Sequence, residues 1–330
     1  VSLLPPITAT PLSEAEAEEA FGALLDGTVA DDAIAPFLVA LSDRGETAAE
    51  VAGAARAMRA RMIPAQGLAG AIDVCGTGGD GQHSLNVSTA VAIVAAACGV
   101  PIAKHGNRAA SSKAGTADTL EALGLNLARA GELAAQTLPD IGIAFFFAQA
   151  HHPALARVAP IRKALGRRTI FNLLGPLANP ARVTRQLVGV PSPAIVPLYR
   201  DAMAHLGMAR AMIVSGNEGL DELSISGPST VATIGFALPS ATITPEDAGL
   251  ARHALDDLRG GDATYNAAAL SRLLMGEPGA YRDAVLLNTA AALIVAGDVT
   301  DWHEGVSEAA EVIDKGLAKA LLDCWIATTR

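Results

Sequence analysis

The chain of 330 residues is 51% hydrophobic and carries 34 acidic against 24 basic side chains, for a formal net charge of -10. That length and apolar content can bury one large core with a smaller satellite domain and argue against disorder. The negative balance excludes a general electrostatic attraction to nucleic acid or anionic lipid, so an anionic ligand needs locally concentrated cations.

The first segment has no basic region and its first helix is acidic, so neither a secretory nor a transit segment is expected, and a cytoplasmic location follows as an expectation. Ser13-Glu-Ala-Glu16 is a capping box opening a helix to Gly27, and helical patterns cover Ala30 to Leu41 and Thr47 to Met62. No strand pattern stands out before residue 70. Beyond it, β-type runs at Ile72 to Cys75, Ile102 to Lys104, Ile143 to Phe147, Gln186 to Val190 and Met212 to Ser215 alternate with Ala-rich helical stretches. This alternation predicts an α/β domain with a largely parallel sheet flanked by helices, capped by a small all-helical domain. The most apolar run, Val87 to Ala103, is broken by Ser88, Thr89, Gly99 and Pro101, which predicts a buried helix and strand and no membrane association. The stretch His151 to Asn179 is helical and then loop-like, with Gly175-Pro176 and Asn179-Pro180 as breakers. Cys75, Cys98 and Cys324 have no C-x-x-C spacing, as expected of reduced thiols.

In such a sheet, ligands sit beyond the carboxyl ends of the strands, and four loops there carry chemistry. The first follows Cys75 and contains a literal G-x-G-x-x-G at Gly76, Gly78 and Gly81. Glycines let backbone N–H groups approach an anion, and a helix N-terminus near Ser88 adds a favourable dipole, although the spacing also fits a plain tight turn. A dinucleotide site fails two demands: Asn86-Val-Ser-Thr89 separates Gly81 from the helix, and the second strand ends in Lys104 where an acidic residue belongs. No Gly-Lys-Ser/Thr follows, so a Walker loop fails too. Asp80 would repel a bare pyrophosphate unless a metal or a ligand hydroxyl faced it.

The second loop, Lys104 to Thr116, packs three cations, two glycines and several hydroxyls into an acidic protein. Beside the glycine loop it reads as one wall of a polyanion pocket, with Lys104 and Arg108 supplying charge and Ser111 and Ser112 hydrogen bonds; alone it would be a solvated turn. The third, Asn217-Glu-Gly-Leu-Asp-Glu222, is either an ordinary acidic turn or a Mg²⁺ site in which Ser88 adds a hydroxyl. In the fourth, His151 and His152 lack zinc spacing and suit capping or packing. Arg162 suits a bidentate clamp on the carboxylate of a second substrate, or equally a surface ion pair.

Together these blocks resemble a known family. Gly76-Thr-Gly-Gly-Asp80, Asn86-Val-Ser-Thr89, Lys104-His-Gly-Asn-Arg-Ala-Ala-Ser-Ser112, Arg168-Thr-Ile-Phe-Asn-Leu-Leu-Gly-Pro-Leu177 and Gly219-Leu-Asp-Glu222 look like the signature blocks of the anthranilate phosphoribosyltransferases, in the family's order and spacing. The likeness extends through Leu258-Arg-Gly-Gly-Asp262 and Arg282-Asp-Ala-Val-Leu-Leu-Asn288, and so covers nearly the whole chain.

The resemblance implies transfer of the phosphoribosyl group of 5-phosphoribosyl diphosphate to the amine of anthranilate with Mg²⁺, the second step of tryptophan biosynthesis from chorismate. It implies that Gly76, Gly79, Asp80, Ser84, Asn86, Val87, Ser88, Thr89, Lys104, His105, Gly106, Asn107, Arg108, Ala109, Ala110, Ser111, Ser112 and Thr116 surround the donor. By the same likeness Ser88, Asp221 and Glu222 serve the metal, and Gly76, Asn107 and Arg162 face anthranilate. It further implies a helical domain of residues 1–70 plus about 152–182 on the anthranilate side, through which a homodimer forms, and a donor-binding domain of 71–151 plus 183–330.

Departures from the family pattern are mild. Ser84-Leu85 stands where threonine and phenylalanine are frequent, Thr116 where serine is commoner, and Thr230-Val-Ala-Thr-Ile234 lacks a frequent acidic residue. The Lys-His-Ser-Thr-Gly-Gly block of a pyrimidine nucleoside phosphorylase is absent. A nucleic-acid-binding relative of the same fold would show degraded magnesium and donor blocks and a basic surface. Neither feature occurs in this sequence.

Overall fold

The computed structural model describes residues 4–66, 68–109 and 112–330. Three helices come first: α1 (Glu14–Leu25), α2 (Asp31–Arg44) and α3 (Ala48–Ala60). Reciprocal capping boxes at Ser13/Glu16 and Thr47/Glu50 set the starts of α1 and α3. The chain then alternates through β1 (Ile72–Gly76), α4 (Val87–Ala97), β2 (Ile102–Gly106), α5 (Thr116–Ala122), α6 (Leu127–Glu132), α7 (Ala134–Ile141) and β3 (Ile143–Phe147). Short helices α8 (Ala148–His151), α9 (Leu155–Leu165) and α10 (Phe171–Leu174) lead to β4 (Arg185–Gly189), α11 (Val196–His205) and β5 (Arg210–Gly216). After β6 (Ser229–Ile234) and β7 (Thr242–Ile243), four helices close the chain: α12 (Ala263–Leu274), α13 (Ala280–Ala296), α14 (Trp302–Asp314) and α15 (Leu317–Thr328).

The seven strands lie in the order β3-β2-β1-β4-β5-β6-β7. Strands β1 to β5 are parallel, as their near-continuous apolar runs predict, and each is covered on both faces. Strands β6 and β7 add antiparallel pairs that the strand patterns did not predict. Their half-exposed residues are largely Thr and Ala, so no apolar run announces them.

One face of the sheet packs on α4 and α13 with α12, α14 and α15 around them. The other face, at β4 and β5, packs on α11, and the same apolar cluster continues into α1, α2, α3 and residues of α9 and α10. Neighbours of β1 come from opposite directions of the chain, β2 on one side and β4 on the other, which makes the carboxyl end of β1 the topological switch point where a ligand crevice is expected. Among the described residues no helix is long and apolar enough to cross a membrane.

Candidate active site

Three sequence-distant segments meet at that switch point. The glycine loop leaves β1 at Gly76, the helix α4 starts at Val87, and the acidic loop after β5 lays Asp221 and Glu222 across both. The Gly78 N–H donates to Asp221 Oδ2 at 2.7 Å, and the Ser88 N–H donates to Glu222 Oε1 at 3.1 Å. Only glycine permits this contact, because a Cβ at Gly76 would stand 2.3 Å from Asp221 Oδ2. Two N–H groups expected to face an anionic ligand therefore face carboxylates of the protein itself.

The electrostatics of these carboxylates follow from burial. Desolvation pushes the Asp221 carboxyl up, with Asp80 adding repulsion, and desolvation and Asp221 push Glu222 up in turn. Asp80 Oδ2 is buried without a hydrogen-bond partner, while its Oδ1 accepts from the Gln82 N–H at 3.1 Å. Three oxygen-bearing acids crowded together, one with an orphaned oxygen, form a donor set that suits a hard cation. No group of three His, Cys, Asp or Glu side chains among the described residues is arranged to hold an ion alone.

Lys104 lies in β2 and is 2% exposed, deeper than a pocket wall. Its Nζ donates to the Val74 carbonyl at 2.6 Å and reaches Ser88 Oγ at 3.3 Å, so it sits beneath the glycine loop and the start of α4. Its neighbour His105 holds Nδ1 3.1 Å from the Gly175 carbonyl, which can only accept, so Nδ1 carries the proton. Burial and the adjacent His152 ring push the imidazole down to about 3, so it is neutral near pH 7. His105 Nε2 is left buried and unpartnered.

The predicted second loop divides. Asp118 Oδ2 accepts from the Ala109 and Gly115 N–H groups, both at 2.9 Å, and thereby ties Ala109 and Gly115 to α5. Arg108, expected to supply charge to the pocket, instead pairs with Asp118 and Glu121 and lies 5.6 Å from the Phe147 ring centroid. Two acids one turn apart on α5 outbid the pocket for its guanidinium. Asn107 is exposed and spends Oδ1 on the Arg108 N–H, and Gly106 ends β2. Ser112 Oγ donates to the Ala114 carbonyl, and Ala110 and Ser111 lie outside the described residues.

The start of α4 is held by an internal net. Asn86 Oδ1 accepts from Thr119 at 2.6 Å and Asn266 at 2.9 Å, and the Asn86 carbonyl accepts from the Tyr281 hydroxyl at 3.1 Å. Thr89 donates to Thr116 Oγ1 at 3.2 Å, and Val87 is buried. Ser84 bridges to Arg259, and the Gly79 carbonyl accepts from Arg168 at 2.9 Å.

Arg162 stands in α9 with its guanidinium 5.3 Å from the Phe171 ring centroid, and burial lowers its pKa. No carboxylate pairs with it among the described residues. The surface ion pair that the sequence left open is therefore not formed.

Sequence reasoning missed Asp73, Asn179, Gln186, Asn266, Tyr281 and Asn288. Asn288, fully buried on α13, accepts from the Leu223 N–H at 2.9 Å and donates to the Leu223 carbonyl at 3.0 Å, pinning the acidic loop directly after Glu222. A lone Asn in the apolar run Ala284 to Val295 was the available signal.

Residues 68–319 match the glycosyl transferase family a/b domain, and residues 7–62 match the helical bundle domain of the same family. The anthranilate phosphoribosyltransferase of Novosphingobium aromaticivorans is 67% identical over 318 residues, 96% of each chain. The crystal structure of the enzyme of that name from Thermus thermophilus superposes with a TM-score of 0.92 at 45% identity, over 98% of this chain and 97% of that one. The enzyme from Saccharomyces cerevisiae, in complex with PRPP and Mg, superposes with a TM-score of 0.86 at 30% identity, covering 96% and 93%. By sequence and by fold over nearly its whole length, the chain belongs to the anthranilate phosphoribosyltransferase family.

Proposed function

We propose that this protein transfers the phosphoribosyl group of 5-phospho-α-D-ribose 1-diphosphate to the amine of anthranilate, forming N-(5-phosphoribosyl)anthranilate and diphosphate. The observation that carries the reading is the docking of Asp221 onto the Gly78 N–H and of Glu222 onto the Ser88 N–H, which joins three family blocks beyond β1.

The chemistry asks for leaving-group stabilisation and in-line placement, with no covalent nucleophile. Departure of diphosphate leaves an oxocarbenium-like ribosyl centre, so charge must be met where it develops. Asp221, Glu222 and Ser88 would hold Mg²⁺, which when bound supplies positive charge to the diphosphate. Lys104 adds a second positive charge from below, held in place by the Val74 carbonyl. The glycine loop from Gly76 through Gly79 to Asp80, with Ser84, Asn86 to Thr89 and Lys104 to Thr116, frames the donor. Arg162, without an ion pair among the described residues, orients anthranilate by its carboxylate, with Asn107 and Gly76 at the junction. An aromatic amine is unprotonated near neutrality, so no strong base is required.

We assign residues 1–70 plus about 152–182 to the acceptor side and 71–151 plus 183–330 to the donor side. A homodimer through the helical domain and a cytoplasmic location complete the reading. Mixing the protein with anthranilate, phosphoribosyl diphosphate and Mg²⁺ tests it: anthranilate fluorescence should fall as diphosphate appears, and no turnover at high enzyme concentration would refute the assignment. Light scattering at two concentrations tests the dimer.

A further inference from the structure

Asp73 is a carboxylate in the middle of β1, flanked by Ile72 and Val74 and 0% exposed. A buried charge of this kind is expensive unless every lone pair is met. Here its oxygens are met from three directions. Oδ1 accepts from the His105 backbone N–H on β2 at 3.1 Å. Oδ2 accepts from Asn179 Nδ2 at 2.8 Å and from Gln186 Nε2 on β4 at 3.3 Å, with the Cys75 thiol at 3.5 Å.

The donors are themselves tied to the segment Gly175–Asn179. Asn179 also donates to the Ala103 carbonyl at 2.8 Å, Gln186 to the Pro176 carbonyl at 2.8 Å, and His105 Nδ1 to the Gly175 carbonyl at 3.1 Å. This strap runs between α10, whose Phe171 lies under Arg162, and the sheet that carries Lys104. Burial pushes the Asp73 carboxyl up while the Lys104 charge, Asn179 and the His105 N–H pull it down, so lysine and carboxylate belong to one net.

We propose that Asp73 is a positioning residue that couples the two substrate sides, its single carboxylate locking the Gly175–Asn179 strap and β2 at His105, the neighbour of Lys104, into one arrangement. The inference rests on the function proposed above for the meaning of the two sides, though the coupling itself is a property of the fold. Only a carboxylate can serve. Asparagine at this position has one acceptor, so its NH₂ would oppose either the His105 N–H or the Asn179 and Gln186 amides. Asp73 touches no reacting atom in this scheme and acts through the groups it holds.

The test compares Asp73→Asn with Asn179→Ser, which removes the strap's own bond to Asp73 and leaves the carboxylate on its β2 and β4 donors. Hydrogen exchange at residues 175–182 of the free protein should quicken in both variants. In steady-state kinetics Asp73→Asn should lower kcat/KM for both substrates by roughly tenfold to a hundredfold, whereas Asn179→Ser should raise the anthranilate KM about tenfold and leave the donor KM within about twofold. Exchange unchanged from wild type in both variants overturns the proposal, as does an equal shift of both KM values in Asn179→Ser. Should Asp73→Asn fail to fold, Asn179→Ser decides alone. Because exchange is read without turnover, a wild-type protein inactive on anthranilate yet showing the expected exchange would refute the function and leave the coupling standing.

Discussion

Gly76 and Asp221 occupy nearly the same space: a Cβ on the first would stand 2.3 Å from Oδ2 of the second. Gly189 meets the same residue from β4, where a Cβ would lie 1.6 Å from the Asp221 backbone oxygen. These two contacts have different consequences. A methyl at Gly76 confronts the end of a side chain, which can swing off the Gly78 N–H. A methyl at Gly189 confronts backbone that cannot move without shifting the loop. Gly76→Ala should therefore fold near wild-type temperature while losing at least about tenfold in activity and needing more Mg²⁺. Gly189→Ala should lose about 1–3 kcal/mol or more of stability. Thermal melting with a Mg²⁺ titration of activity reads both, and a Gly189→Ala protein melting with wild type would contradict the packing argument.

Arg162 is half-buried against Phe171 with no acidic partner among the described residues, so an incoming carboxylate would find the guanidinium unpaired. Arg162→Ala should raise the anthranilate KM by roughly thirtyfold, about 2 kcal/mol of lost charge-assisted bonding, with the donor KM nearly unchanged. Arg162→Lys should recover little, since an ammonium cannot make the forked contact. A change confined to the donor KM would remove Arg162 from the acceptor site.

The acidic pair makes the metal-free protein sensitive to pH. Burial raises the Asp221 and Glu222 carboxyls above their unfolded values, with Asp80 repelling Asp221 and Asp221 repelling Glu222. Between the unfolded and folded pKa values the native state binds more protons, so stability falls as pH rises from the ordinary carboxylate range towards neutrality. Asp221→Asn removes one of the two charges. Without Mg²⁺ it should melt higher than wild type at about pH 8 and lose that advantage at about pH 5, by a few degrees at most. Melting curves at the two pH values, with and without Mg²⁺, decide it; an Asp221→Asn protein less stable than wild type at the higher pH would mean the carboxylate contributes more than it costs.

Short motifs with backbone roles were legible from the sequence. The glycines after β1, the cation of β2 and the Asp221-Glu222 pair are each recognisable within a few residues, although β2 runs on past Lys104 to Gly106, and the parallel strands announce themselves as apolar runs. What stayed hidden depends on partners far away in the chain. Asp73 reads as one polar residue in a strand until Asn179 and Gln186 arrive beside it, 106 and 113 positions later. The ion pairs of Arg108 were hidden for a different reason. Asp118 and Glu121 were visible ten and thirteen residues on, but only the turn of α5 back under the loop brings them to the guanidinium. Strand β6 escaped because an antiparallel strand near the sheet edge needs no apolar run, only small residues at alternate positions.

Asn288 carries the last prediction. Its amide imitates a strand partner for Leu223, taking the N–H and giving to the carbonyl, with the Ala284 carbonyl as a further acceptor at 2.9 Å. Asn288→Leu fills the volume but leaves the Leu223 N–H and carbonyl buried and unpaired, at a cost of roughly 2–4 kcal/mol. Asn288→Asp keeps the acceptor for the N–H and sets an acidic oxygen against the carbonyl, so it should cost comparably near neutrality. In either variant the freed peptide sits one residue from Glu222, so the loss should extend beyond stability: at a temperature where the protein is fully folded, the Mg²⁺ concentration for half-maximal activity should rise severalfold while the anthranilate KM holds. A folded variant with an unchanged Mg²⁺ requirement would show that Leu223 is fixed by packing alone and that the acidic loop does not need its amide tether.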